Sequence, residues 1–84
     1  MTSSVKGYRR MPDLGIDIGS ISVNTVLMDA GGSILEDHYD LCSGKPFHVV
    51  RARLADILAR RGEGSIGRIA LTGTGGALAA ALIG

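Results

Sequence analysis

The sequence predicts an α/β unit whose elements run strand, strand, strand, helix, strand, helix. Three observations carry that prediction. A short apolar run, Leu14–Ile18, turns at Gly19 into the extended run Val23–Asp29. Ala30-Gly31-Gly32 then links this run to a third, Ser33–Tyr39, so the second and third strands are predicted as antiparallel neighbours. From Pro46 the pattern changes, and Phe47, Val50, Leu54, Ile57 and Leu58 recur at helical spacing.

Each later element has its own signal. Pro46 suits the first turn of a helix, because its missing N–H has no partner there in any case. Arg51, Arg53, Asp56, Arg60 and Arg61 fall largely off the apolar stripe. Arg60 and Arg61 complement the dipole at the helix end, and Gly62 is placed to terminate it. Ile66–Thr72 follows as a fourth strand with little alternation, which predicts burial. Gly73-Thr74-Gly75-Gly76 then turns the chain towards an Ala-rich helix starting near Ala77. Ala77–Ile83 is apolar on every side and needs a partner surface on every side. An open sheet edge would also remain uncovered. Residues 13–84 are therefore expected to be the N-terminal portion of a larger, incomplete domain. Residues 1–12, polar and basic without periodicity, are expected to be a disordered leader.

Composition narrows the function classes. The chain has 84 residues, so it holds one small domain at most. Its net charge of +1 gives no electrostatic case for a nucleic-acid partner. No apolar run approaches the roughly 18 residues of a membrane span. Cys42 is the one cysteine, so no internal disulfide can form, and a reducing cytoplasm is the simplest compartment.

The most informative stretch is Gly15-Ile-Asp-Ile-Gly-Ser-Ile-Ser22. Glycine at 19 permits close backbone approach to a ligand, and backbone N–H groups in such a turn can cradle an anion. Ser20 and Ser22 add hydroxyls. Asp17 is placed to hold a hydrated Mg²⁺ against phosphate oxygens. A carboxylate between Ile16 and Ile18 is costly unless paired or functional, which favours a nucleotide site over a plain hairpin. A second glycine turn, Thr72-Gly73-Thr74-Gly75-Gly76, sits where a strand ends, the usual place for ligand contacts in α/β proteins. A plain strand-to-helix turn would read the same way.

Other patterns are set aside. Gly62-Glu-Gly-Ser-Ile-Gly67 has the spacing of a dinucleotide fingerprint, but the helix precedes it and the strand follows, the reverse of what that motif needs. His38, Cys42 and His48 have no fourth ligand at metal-binding spacing and read as structural residues.

The opening motif, the Asp29-Ala-Gly-Gly32 hairpin and three strands before a helix resemble the first lobe of the sugar-kinase/Hsp70/actin ATPase superfamily, a ribonuclease H-like fold. Gly44-Lys-Pro46 and Leu71-Thr-Gly-Thr-Gly-Gly-Ala-Leu-Ala79 are similar to the CoA-enzyme activases, the activators of 2-hydroxyacyl-CoA dehydratases and benzoyl-CoA reductase-type ATPases. The likeness runs from Leu14 to Gly84 and covers only the opening part of such a domain. It implies ATP and Mg²⁺ as cofactors. Asp17 would orient the metal and the attacking water. Gly19, Ser20, Ile21 and Ser22 would bind phosphates, and Thr72, Gly73, Thr74 and Gly75 would line the cleft.

The resemblance further implies partners: the rest of the ATPase domain, a dehydratase or reductase, and a second copy in a homodimer. The iron–sulfur cluster of that family would be ligated downstream. Two departures stand out. Asn24 occupies a position where the family commonly has Lys, and Ile21 stands where a small hydroxyl residue is usual. Without the second phosphate motif and the adenosine motif, the chain is expected not to hydrolyse ATP unaided. A sugar-kinase-like phosphotransferase fragment and a stand-alone binding or oligomerising module are the alternatives.

Overall fold

A computed structural model describes residues 11–73. These form β1 (Asp13–Ile18), β2 (Ser22–Met28), β3 (Ile34–Leu41), α1 (Pro46–Arg61) and β4 (Arg68–Gly73). The strands make one mixed sheet in the order β3-β2-β1-β4. β1 runs antiparallel to β2 and parallel to β4, while β2 and β3 are antiparallel. The predicted α/β class and the first five elements are present. The expected helix near Ala77 and residues 1–10 of the expected leader lie outside the described residues.

The second hairpin forms because Asp29 organises it. Its Oδ1 accepts the N–H groups of Gly31 and Ser33, each at 2.9 Å, and Gly32 takes a positive φ of 91°. That conformation is open to glycine at little cost. One residue further, the β2–β3 register shifts at Leu27/Met28, so that Met28 faces Ile34.

Strand alternation divides the sheet into two faces. Leu14, Ile16 and Ile18 of β1 and Val23, Thr25 and Leu27 of β2 are buried on the face that α1 covers. Ile57 is the fully buried helix residue there, with Val49, Val50 and Leu54 packed around the same cluster. Full burial of each such aliphatic side chain is worth about 1.5–3 kcal/mol. Val49 joins this seam although the predicted stripe omits it. Phe47 lies at its margin instead, with the Arg51 guanidinium 5.6 Å from its ring centroid.

Helix termination follows the prediction. Gly62 has φ 98°, and its N–H reaches the Leu58 carbonyl at 2.7 Å. The loop Gly62–Gly67 is a helix-to-strand connection, as its order in the chain requires. Its last residue is tied to the segment before β1, because the Gly67 N–H donates to the Pro12 carbonyl at 2.7 Å.

One expectation about burial needs correction. β4 was expected to be buried, yet Ile69 and Leu71 are 51% and 41% exposed. The reason is placement: α1 packs chiefly on β2, and β4 lies at the far edge beyond β1. The charged residues of α1 reach across to the carboxylates of β3. Arg60 makes a two-pronged contact with Glu36 at 2.7 and 3.0 Å, Arg61 also binds Glu36, and Arg53 grips Asp40 at 2.8 and 2.9 Å. The Arg60 contact, with His38 and Arg61, holds the Glu36 carboxyl well below the usual carboxylate range. Arg53 does the same for Asp40. The helix is thus pinned to β3 by ions and to β1 and β2 by apolar contact.

Candidate phosphate-binding end of the sheet

Because β1 and β4 are parallel, their C-terminal ends lie side by side, with Ile18 paired to Gly73 and Asp17 to Thr72. The Gly19–Ser22 turn and the start of the Thr72–Gly73 turn therefore meet at one end of the sheet. The β3–α1 connection joins them, since the Cys42 N–H donates to the Ile21 carbonyl at 2.8 Å and the Lys45 N–H to the Cys42 carbonyl at 2.7 Å. Three segments far apart in sequence, Gly19–Ser22, Cys42–Pro46 and Thr72–Gly73, converge. Thr74 and Gly75, also expected to contribute, lie outside the described residues.

Asp17 stands on the face opposite α1, exposed, between Asn24 of β2 and Thr72 of β4. This changes the weight of one inference. Its neighbours Ile16 and Ile18 point into the core, but Asp17 does not, so the strand pays little to carry a carboxylate. Burial cost therefore does not demand a function for it. Its position in the sheet is the more informative observation. Glu36, Asp40 and Asp56 each have an arginine partner, as does Asp13 through Arg68, whereas Asp17, like Asp29, Asp37 and Glu63, has no ion pair among the described residues. What sets Asp17 apart is its place at the end of β1 beside Thr72. Asn24 sits directly across from it, at the position where the resemblance leads one to expect Lys. An ammonium there would be able to neutralise Asp17, while the amide leaves its charge uncompensated.

The turn itself is tight. The Gly19 N–H donates to the Ser22 carbonyl at 2.9 Å, and a Cβ on Gly19 would lie only 3.2 Å from that same oxygen. Gly19 is thus needed for the chain's approach to itself, and its N–H is already spent. Ser20 is exposed, Ile21 is 68% exposed, and Ser22 is partly buried at the start of β2. Neither the Ser20 nor the Ile21 N–H has an acceptor among the described residues. These two donors and the two serine hydroxyls are what the turn can offer an anion.

Gly73 has a comparable structural duty. A Cβ at that position would collide with the carbonyl of Ile18, so only glycine lets β4 close against β1. Thr72 is exposed beside Asp17. Behind them Gly15, Val26 and Ala70 floor a shallow groove of about 270 Å³, apolar except where Asp17, Asn24 and Thr72 reach it.

No other cluster competes. Among the described residues no group of three metal-binding side chains is present. His38 is bound to Glu36 at 2.6 Å, and Cys42 is buried in the core. No helix among them is long and apolar enough to cross a membrane. Set against protein-family models, curated proteins and solved structures, the chain matches none of them.

Proposed function

We propose that the chain is the opening part of a ribonuclease H-like ATPase lobe of the CoA-enzyme activase kind, and that its sheet end takes up the phosphates and Mg²⁺ of ATP. The observation that carries this reading is the convergence of a counter-ion-free carboxylate with unused backbone donors. Asp17 is paired in register with Thr72 on one face, and the turn that follows β1 carries the Ser20 and Ile21 N–H groups, which have no acceptor among the described residues.

The residues present fit the group. The N–H groups of Ser20 and Ile21 and the hydroxyls of Ser20 and Ser22 donate to phosphate oxygens. Asp17 is the residue that would hold a hydrated Mg²⁺ and orient the attacking water. Bound Mg·ATP supplies the phosphoryl group and its charge; positioning and charge stabilisation are what the protein adds. Thr72 and Gly73 bound the same end of the sheet. An iron–sulfur cluster does not fit the described residues, because Cys42 is the chain's one cysteine and its thiol faces the core. Coupling to a dehydratase or reductase, and pairing as a homodimer, rest on the sequence resemblance alone.

Amide NMR of the full chain titrated with Mg·ATP tests the site. Saturable shifts at Ser20, Ile21 and Asp17, with a Kd of roughly millimolar, are expected. Asp17→Asn should abolish the Mg²⁺-dependent part. A wild-type chain that shows no response at Ser20 and Ile21 defeats the reading. The activase assignment has a separate test in the coding sequence beyond the Gly84 codon. Continuation into a second acidic phosphate motif and paired cysteines supports it, and a continuation lacking both removes it.

A further inference from the structure

Cys42 is left unused by the site as described, yet it touches every peptide unit of the phosphate turn. Its backbone N–H donates to the Ile21 carbonyl at 2.8 Å. Its thiol lies 3.4 Å from the Ser20 carbonyl oxygen and 3.6 Å from that of Gly19, both within reach of a weak S–H donor. The side chain is 3% exposed and belongs to the core cluster under α1. Three successive carbonyls of the turn are thus gathered by one residue on the helix-covered side.

The consequence comes from peptide geometry. There is no cis bond in the described chain, and in a planar trans unit the N–H lies antiparallel to the carbonyl. Turning the Gly19 and Ser20 carbonyls towards the thiol directs the N–H groups of Ser20 and Ile21 away from it. They are thereby kept on the side of the turn away from Cys42, without an acceptor among the described residues. A two-residue connection such as Ser20-Ile21 can rotate its central peptide readily, and such a rotation would trade an N–H for a carbonyl at the site. An outward carbonyl would repel phosphate.

We infer that Cys42 is a positioning residue, whose thiol holds the Ser20 and Ile21 N–H groups in the orientation that accepts a phosphate anion. The inference rests on the phosphate reading above and extends it to a residue outside the glycine motif. It separates two roles of a buried cysteine, filling space and donating a hydrogen bond.

The test compares the wild type with Cys42→Ala, Cys42→Val and Cys42→Ser in the full chain, titrated with inorganic phosphate and then with Mg·ATP. Affinity is read from the Ser20 and Ile21 amide signals, and folding from the dispersion of the remaining signals. Cys42→Val restores volume without a donor, and Cys42→Ser restores a donor in a smaller side chain. Ala and Val are expected to bind about tenfold more weakly, and Ser to stay within about threefold of the wild type although its core packs less well. A Val variant that binds like the wild type overturns the inference, because packing alone would then suffice. So does a folded Ala variant with unchanged affinity. A silent wild type, by contrast, defeats the phosphate reading itself, and this role falls with it.

Discussion

The two faces of the sheet are built from the same strands and do opposite work. On the face under α1, six residues of β1 and β2 are nearly or fully removed from water, and their flanks are closed by Arg53, Arg60 and Arg61 on the carboxylates of β3. On the other face, the equivalent row of positions holds Gly15, Asp17, Asn24, Val26, Ala70 and Thr72, with no helix above it among the described residues. One face stores the stability. The other presents polar groups whose charges are not already spent. A two-residue period allows both in strands of six and seven residues, because adjacent side chains point to opposite faces.

If that division is right, substitutions should sort by face. Ile57→Ala truncates a helix side chain with no solvent exposure, and it should cost about 3–4 kcal/mol in denaturant unfolding. A loss below about 1 kcal/mol would mean that α1 is held by its ion pairs rather than by the core.

Glu36→Gln should come next, with a loss of about 1–2 kcal/mol at neutral pH, since it removes the negative charge and one of the two acceptor oxygens shared by Arg60, Arg61 and His38. Its pH dependence has a definite sign. The folded-state pKa of Glu36 lies below its unfolded value of roughly 4.3, so the contribution is full above that value. It fades as the pH falls through the acid range towards the depressed folded value. The wild type should therefore lose stability on acidification more steeply than the variant. Parallel acid-unfolding curves would remove Glu36 as the clasp.

Thr25→Val should act in the opposite direction. The Thr25 hydroxyl is buried at the centre of β2 with no hydrogen-bond partner among the described residues, and valine keeps its shape. A gain of about 1 kcal/mol in melting or denaturant experiments is expected. A loss would show that the hydroxyl has an acceptor after all. The smallest effect on stability belongs to Asp17→Asn, within about 0.5 kcal/mol, because the carboxylate is exposed and makes no ion pair among the described residues. That same variant should lose its Mg²⁺-dependent nucleotide response. A residue silent in folding and decisive in binding is the sharpest form of the contrast between the faces.

Much of this was readable from local pattern. The strands, the Asp29 hairpin, Pro46 at the helix start and Gly62 at its end follow from backbone preferences that act within a few residues. The reversed order around Gly62–Gly67 was likewise enough to dismiss a dinucleotide site. The signal for the β3 clasp was present too, in Glu36, His38 and Asp40 at every second position, but its arginine partners lie beyond the intervening loop. Asp17 was found through its glycine-bearing turn, whereas the cost assigned to it was wrong, since alternation had already placed it outside the core.

By itself, the sequence determined the class and order of the described elements, the two hairpin turns and the Val50, Leu54 and Ile57 part of the α1 seam, because these depend on short-range sterics and periodicity. Tertiary structure alone decided three further things. It put β4 parallel to β1, which brings Thr72 beside Asp17 across 55 residues of chain. It made Gly19 and Gly73 points of chain-to-chain contact through the carbonyls of Ser22 and Ile18. It also placed Cys42 beneath the turn, where no spacing rule would look for it. Each of these is a contact between backbone segments, set by strand register, and register exists only once the strands have paired.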